Sequence, residues 1–179
     1  MRKANAVITA LIMLLFVIHG VLGAFQMLGA AGTWHKTIAR AAFTLAAVHG
    51  VIGVKLTIDT LKAQKKAGVS YPAANRLFWA RRISGFALMI LLALHMSAFT
   101  GKVDGVVRLK AFGGFQLLLQ LLLVVTLALH ILMNVKPVLI SFGIRSLKER
   151  AFDILFVLSV LLLFMAAGFV IYYLIWNVW

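Results

Sequence analysis

Five apolar runs of about twenty residues or more divide this chain, and short segments rich in Lys, Arg or Gly separate them. A helix rises about 1.5 Å per residue, so about twenty residues cross the ~30 Å hydrocarbon core of a bilayer. Inside hydrocarbon the backbone has to satisfy its own hydrogen bonds, which leaves the helix as the structure for such runs. The pattern predicts an all-α membrane protein, a five-transmembrane-helix bundle forming a single domain over residues 1–179. Hydrophobic residues make up 64% of the chain, where a soluble domain sits nearer half. The run that follows Met1-Arg2-Lys3 is too long for a signal peptide and lacks a clear small-residue cleavage site, so it is read as a span.

The runs extend from Ala4 to Gly29, Thr37 to Leu61, Ile83 to Thr100, Ala111 to Val135 and Ala151 to Trp179. The first loop, Ala30 to Lys36, contains Trp34 and His35. The second, Lys62 to Arg82, is the longest and most basic, with a turn at Gly68-Val69-Ser70-Tyr71-Pro72. Its last part is an aromatic, basic platform (Arg76, Phe78, Trp79, Arg81, Arg82) suited to a membrane–water boundary. The loop Gly101 to Lys110 is short. Pro137 predicts an end or a kink in the fourth helix, and the last linker runs from Lys136 to Arg150.

The net charge of +14 would suggest nucleic acid in a soluble protein. Here the charges flank apolar runs, so topology explains them and no nucleic-acid partner is expected. Twelve basic residues fall on the N-terminal side: Arg2, Lys3, Lys62, Lys65, Lys66, Arg76, Arg81, Arg82, Lys136, Arg145, Lys148 and Arg150. Five fall on the other: Lys36, Arg40, Lys102, Arg108 and Lys110. Lys55 lies within the second run. The positive-inside rule then puts the N-terminus in the cytoplasm and the Tyr172, Tyr173, Trp176, Trp179 end outside, as expected for a multi-pass protein of a bacterial cytoplasmic membrane. There is no cysteine, which excludes disulfides, thiolate metal sites, iron–sulfur clusters and covalent haem attachment within the chain.

Each of the first four runs carries one histidine: His19, His49, His95 and His130. Imidazole binds haem iron axially, and two ligands from facing helices clamp one porphyrin in a bundle. Four such ligands predict two bis-histidine sites, hence two haem b between the first four helices. Zinc is disfavoured, because no carboxylate or thiolate lies at these depths. A macrocycle needs room, and Gly20 and Gly23 accompany His19, Gly50 and Gly53 accompany His49, and Gly113-Gly114 open the fourth run. His130 lies six residues, about 9 Å, from Lys136 at the inner face, and His95 seven residues, about 10 Å, from Lys102 at the outer face. His19 is also in the outer half. Depth therefore groups His19 with His95 and leaves His49 for His130. Candidate partners for the haem propionates are Arg82 and Lys136 on the inner side and His35, Arg40 and Lys102 on the outer side. The competing readings are a small transporter or proton-conducting bundle with histidine relays, and a structural assembly factor.

At these residues the chain resembles the di-haem cytochrome b membrane anchor of succinate:quinone and quinol:fumarate oxidoreductases, the five-helix single-subunit type. The stretch Asn75 to His95 is similar to the family's Asn…Trp…Arg-Ile-Thr-Gly run leading to a haem histidine, with Ser84 in place of Thr. His49-Gly50-Val51-Ile52-Gly53 is similar to its His-x-x-x-Gly. His130-Ile131-Leu132-Met133-Asn134, followed by Ser141-Phe142-Gly143-Ile144, is similar to its His-x-x-x-Asn and Ser-x-Gly-Ile. The resemblance implies electron transfer between membrane quinone (menaquinone or ubiquinone) and peripheral flavoprotein and iron–sulfur subunits. It also implies one haem held by helices two and four, nearer that partner, and one by helices one and three. Quinone would react near an interface, the outer one around Gln26, Trp34 and His35 being the first candidate and an inner site the alternative. Within this class a cytochrome serving an extracytoplasmic reductase is an alternative. Ala128 stands where some relatives carry an acid used for proton movement, so that path is not expected. Self-association into a homo-oligomer is left open.

Overall fold

The computed structural model describes residues 2–29, 35–68, 75–99, 101–103, 106–108, 112–144 and 147–177. Among the described residues there are five helices: α1 (Arg2–Met27), α2 (His35–Lys66), α3 (Arg76–Phe99), α4 (Gly114–Ser141) and α5 (Leu147–Asn177). All five are long and apolar enough to cross a membrane, so the chain is a helical, multi-pass membrane protein. Between α3 and α4 a hairpin forms, with β1 (Gly101–Val103) antiparallel to β2 (Val106–Arg108). That hairpin lies where the sequence predicted only a loop.

Several helix ends differ from the expected boundaries. α3 begins at Arg76 instead of Ile83, because Asn75 caps it: its side-chain oxygen accepts from the Phe78 amide at 3.3 Å. The basic platform is therefore the first two turns of a span. Arg76 and Trp79 are exposed, while Arg81 and Arg82 are half-buried and the backbone stays helical. α2 continues to Lys66, with Lys65 and Lys66 in the last turn, where cations complement the helix dipole. α5 likewise starts at Leu147, ahead of Ala151.

α4 passes straight through Pro137 and ends at Ser141. Proline lacks the N–H that would bond the carbonyl four residues back, here that of Met133. The orphaned carbonyl is met from a neighbouring helix: Arg81 Nε donates to Met133 O at 2.8 Å. A membrane helix tolerates proline when a neighbour resatisfies the freed group, and Arg81 does this while tying α3 to α4. After Ser141, Gly143 takes a positive φ of 74°. Ile144 N then bonds Leu139 O at 3.1 Å and Gly143 N bonds Ile140 O at 3.0 Å, the paired pattern that ends a helix with a glycine.

The packing forms a four-helix core in which α1–α2, α2–α3, α3–α4 and α4–α1 are neighbours, with α5 lying along α4 and α1. Among the described residues, the diagonal pairs α1–α3 and α2–α4 do not pack closely backbone to backbone. α5 buries Leu158, Leu162, Met165, Phe169 and Tyr172, an alternating four–three spacing that makes one seam along a helix. The opposite side of α5 (Phe152, Phe156, Val160, Leu163, Leu174) is exposed, as suits a lipid-facing surface. At the end of the bundle away from the N-terminus, Phe112 and Phe169 stack with an interplanar angle of 9°, and Phe99 and Tyr172 join them. Asn177 Nδ2 donates to Phe112 O at 2.6 Å, fastening the end of α5 to the entry of α4.

Candidate functional site

His19 stands on α1, His49 on α2, His95 on α3 and His130 on α4, all within candidate spans. A polar ring in hydrocarbon is costly without a partner, so the contacts of each imidazole decide what it can do. The rings of His19 and His95 lie 6.2 Å apart, centre to centre, with their planes at 90°. His49 and His130 lie near each other, and Arg82 lies near both. These are the pairs that depth along the spans groups together, one on each diagonal of the four-helix core.

Polar side chains from other helices complete each group. His95 Nδ1 lies 2.7 Å from Gln120 Oε1. An amide oxygen only accepts, so Nδ1 carries the proton in this bond. His130 Nδ1 lies 2.9 Å from Ser84 Oγ, and the Ser84 hydroxyl donates to Arg81 O at 3.2 Å. When its proton is directed there, Ser84 has a lone pair for His130 Nδ1–H. Thr9 treats His49 the same way: its hydroxyl donates to Asn5 O at 2.8 Å while its oxygen lies 3.4 Å from His49 Nδ1. For His95 this holds Nδ1–H and leaves Nε2 the lone pair a metal requires; for His130 and His49 a hydroxyl stands at Nδ1, the position from which imidazole ligands are oriented.

The spacing along the helices makes two layers. Thr9 and His19 are ten residues apart on α1, Ser84 and His95 eleven apart on α3, and Gln120 and His130 ten apart on α4. Each interval is about 15 Å of helix. One layer holds His49, His130, Thr9, Ser84 and Arg82, nearer the N-terminal face; the other holds His19, His95 and Gln120, nearer the opposite face. α1, α3 and α4 each give a histidine to one layer and an oxygen to the other.

The residues present fit a haem held by histidines in several respects. His19 and His95, with ring centres 6.2 Å apart on facing helices, would hold one such group. One turn from His19 on the same face, a Cβ built on Gly23 would meet nothing within 4 Å. Gly85 lies so close to His130 that an added Cβ would stand 3.2 Å from Cε1. Around His95 the rings of Phe99 and Phe169 lie at 5.1 and 6.2 Å, closing that layer toward the membrane face.

Other predicted site residues fall differently. Gly20 faces Met165 of α5, where small residues let the two helices approach; Gly168 of α5 meets Ala24 in the same seam. Gly50 faces Met89, with an added Cβ 3.8 Å from its sulfur, and Gly53 faces Arg82, 3.8 Å from Nη1. Gly113 opens α4, where its amide donates to Gln116 Oε1 at 3.1 Å. Gly20 and Gly113 thus have structural tasks apart from the histidine layers. Arg82 is half-buried, with its guanidinium 5.1 Å over the Phe78 ring and Nε without a protein acceptor. Lys136 and Arg40 are exposed. His35 opens α2 and Lys102 lies in β1, but their side chains, and all of Trp34, are outside the described residues. Thr9 and Gln120 went unrecognised in the sequence. Their signal is a polar residue ten positions before a histidine inside an apolar run, and only the fold shows whose imidazole each one meets.

No family model, curated protein or solved structure matches this chain.

Proposed function

We propose that this chain is a di-haem cytochrome b that carries electrons between membrane quinone and a peripheral flavin and iron–sulfur oxidoreductase of the succinate dehydrogenase or fumarate reductase kind. The observation that carries the reading is the two-layer pairing of four membrane histidines on diagonal helices, three with Nδ1 hydrogen-bonded to an oxygen. A transporter relay has no need for Nδ1 to be fixed in this way; a metal ligand does. Bound in each layer, haem b would supply one-electron chemistry at its iron.

The protein's own part is positional. His19 and His95 would hold one group, His49 and His130 the other. Ser84, Thr9 and Gln120 fix ring orientation, and the half-buried Arg82 supplies a cation for a propionate beside the His49 layer. The layers divide a span too thick for one efficient hop into shorter steps. The excess of Lys and Arg near the N-terminal face orients that face to the cytoplasm of a bacterial cell and offers the docking surface for the peripheral subunits. Gln26 on α1, with Trp34 and His35 beyond it, marks the quinone-reactive region at the opposite interface.

A pyridine haemochrome assay on the detergent-purified chain tests this. Two non-covalent b-type haems per chain are expected; a preparation with one haem or none contradicts the proposal.

A further inference from the structure

The geometry assigns Gln120 the role of a positioning residue that sets the tautomer and ligand strength of His95, an inference that rests on the di-haem reading. Gln120 is fully buried, 0% exposed, six residues inside α4. A primary amide in a membrane span is costly to bury unless it makes a specific bond. Here it makes one, 2.7 Å from Oε1 to His95 Nδ1, and Nε2 has no protein acceptor. Phe99 and Phe169 flank the His95 ring, which keeps competing water from the bond and strengthens it.

Two orientations of the amide are chemically distinct. With the oxygen toward His95, Nδ1 is protonated and Nε2 can bind iron. With the nitrogen toward His95, the proton sits on Nε2 and ligation is blocked. The first is the orientation observed. A strong acceptor on Nδ1–H also makes the imidazole more electron-donating, which favours oxidised iron. His130 and His49 face hydroxyl oxygens at longer distances, 2.9 and 3.4 Å, so this effect belongs to the His95 layer.

The test uses the full chain in two states. In haem-free protein labelled with 15N-histidine, wild type should show the His95 Nδ1–H tautomer, and Gln120→Met should lose that preference. An Nε2–H tautomer in wild type overturns the assignment whatever binds there. In haem-loaded protein, Gln120→Met should weaken retention of one haem by about 10-fold or more and raise its midpoint potential. Gln120→Glu, which keeps an acceptor, should restore retention and lower that potential, while the second haem stays unchanged. Opposite shifts are not expected from a residue that only fills space. Wild type without haem would defeat the di-haem proposal; two haems insensitive to both substitutions would defeat the role of Gln120 alone.

Discussion

Replacing Arg81 by Met should destabilise the bundle, and by an amount that depends on Pro137. The substitution keeps the apolar stem and removes the donor that reaches Met133 O at 2.8 Å. A hydrogen bond from a charged donor contributes about 1.5–3 kcal/mol in proteins, and side-chain bonds between membrane helices average about 0.6 with a maximum near 1.7. Met133 O has no helical donor because residue 137 is proline, so loss of Arg81 leaves that carbonyl unsatisfied, and about 1–2 kcal/mol is expected. Pro137→Ala returns an N–H to the same carbonyl. In that background Arg81→Met should cost about 1 kcal/mol less than in the parent. The assay is a double-mutant cycle on unfolding in mixed micelles, followed by helical circular dichroism. Distant sites add within about 0.3–0.5 kcal/mol; if the two substitutions do so as well, the role given to Arg81 is wrong.

Two further substitutions probe the same framework. Gly85→Ala places a methyl group 3.2 Å from His130 Cε1, so the ring has to shift away from Ser84. The spectrum of the His49/His130 haem should change while that of the His19/His95 haem stays as it was, a contrast that low-temperature difference spectra resolve. Asn177→Ala removes the 2.6 Å bond to Phe112 O; a net loss of about 1 kcal/mol should appear as faster proteolysis at the α4 entry, with haem content unchanged.

The five spans and the four histidines were legible because hydrocarbon imposes a length, and a polar ring within such a run is conspicuous. The ends of the helices were harder to read. Arg76 to Arg82 look like loop in composition but are capped by Asn75 and stay helical. Pro137 looks like a stop, yet its cost is offset by an arginine 56 positions earlier in the chain, a pairing no local pattern reveals. Gly20 is another case that sequence neighbourhood does not decide. Gly20 shares the neighbourhood of His19 in sequence but faces α5, because consecutive helical residues point about 100° apart. Thr9 and Gln120 could be noticed as polar residues in apolar runs. That they serve His49 and His95, on other helices, depends on which helices are neighbours.

The most direct measurement is a potentiometric titration of the visible spectrum for the four single histidine-to-alanine variants in membranes. His19→Ala and His95→Ala should each abolish the same one of two redox components, and His49→Ala and His130→Ala the other. Loss of one component by His19→Ala and His49→Ala together, or an unchanged spectrum in any of the four, would contradict the paired two-layer site.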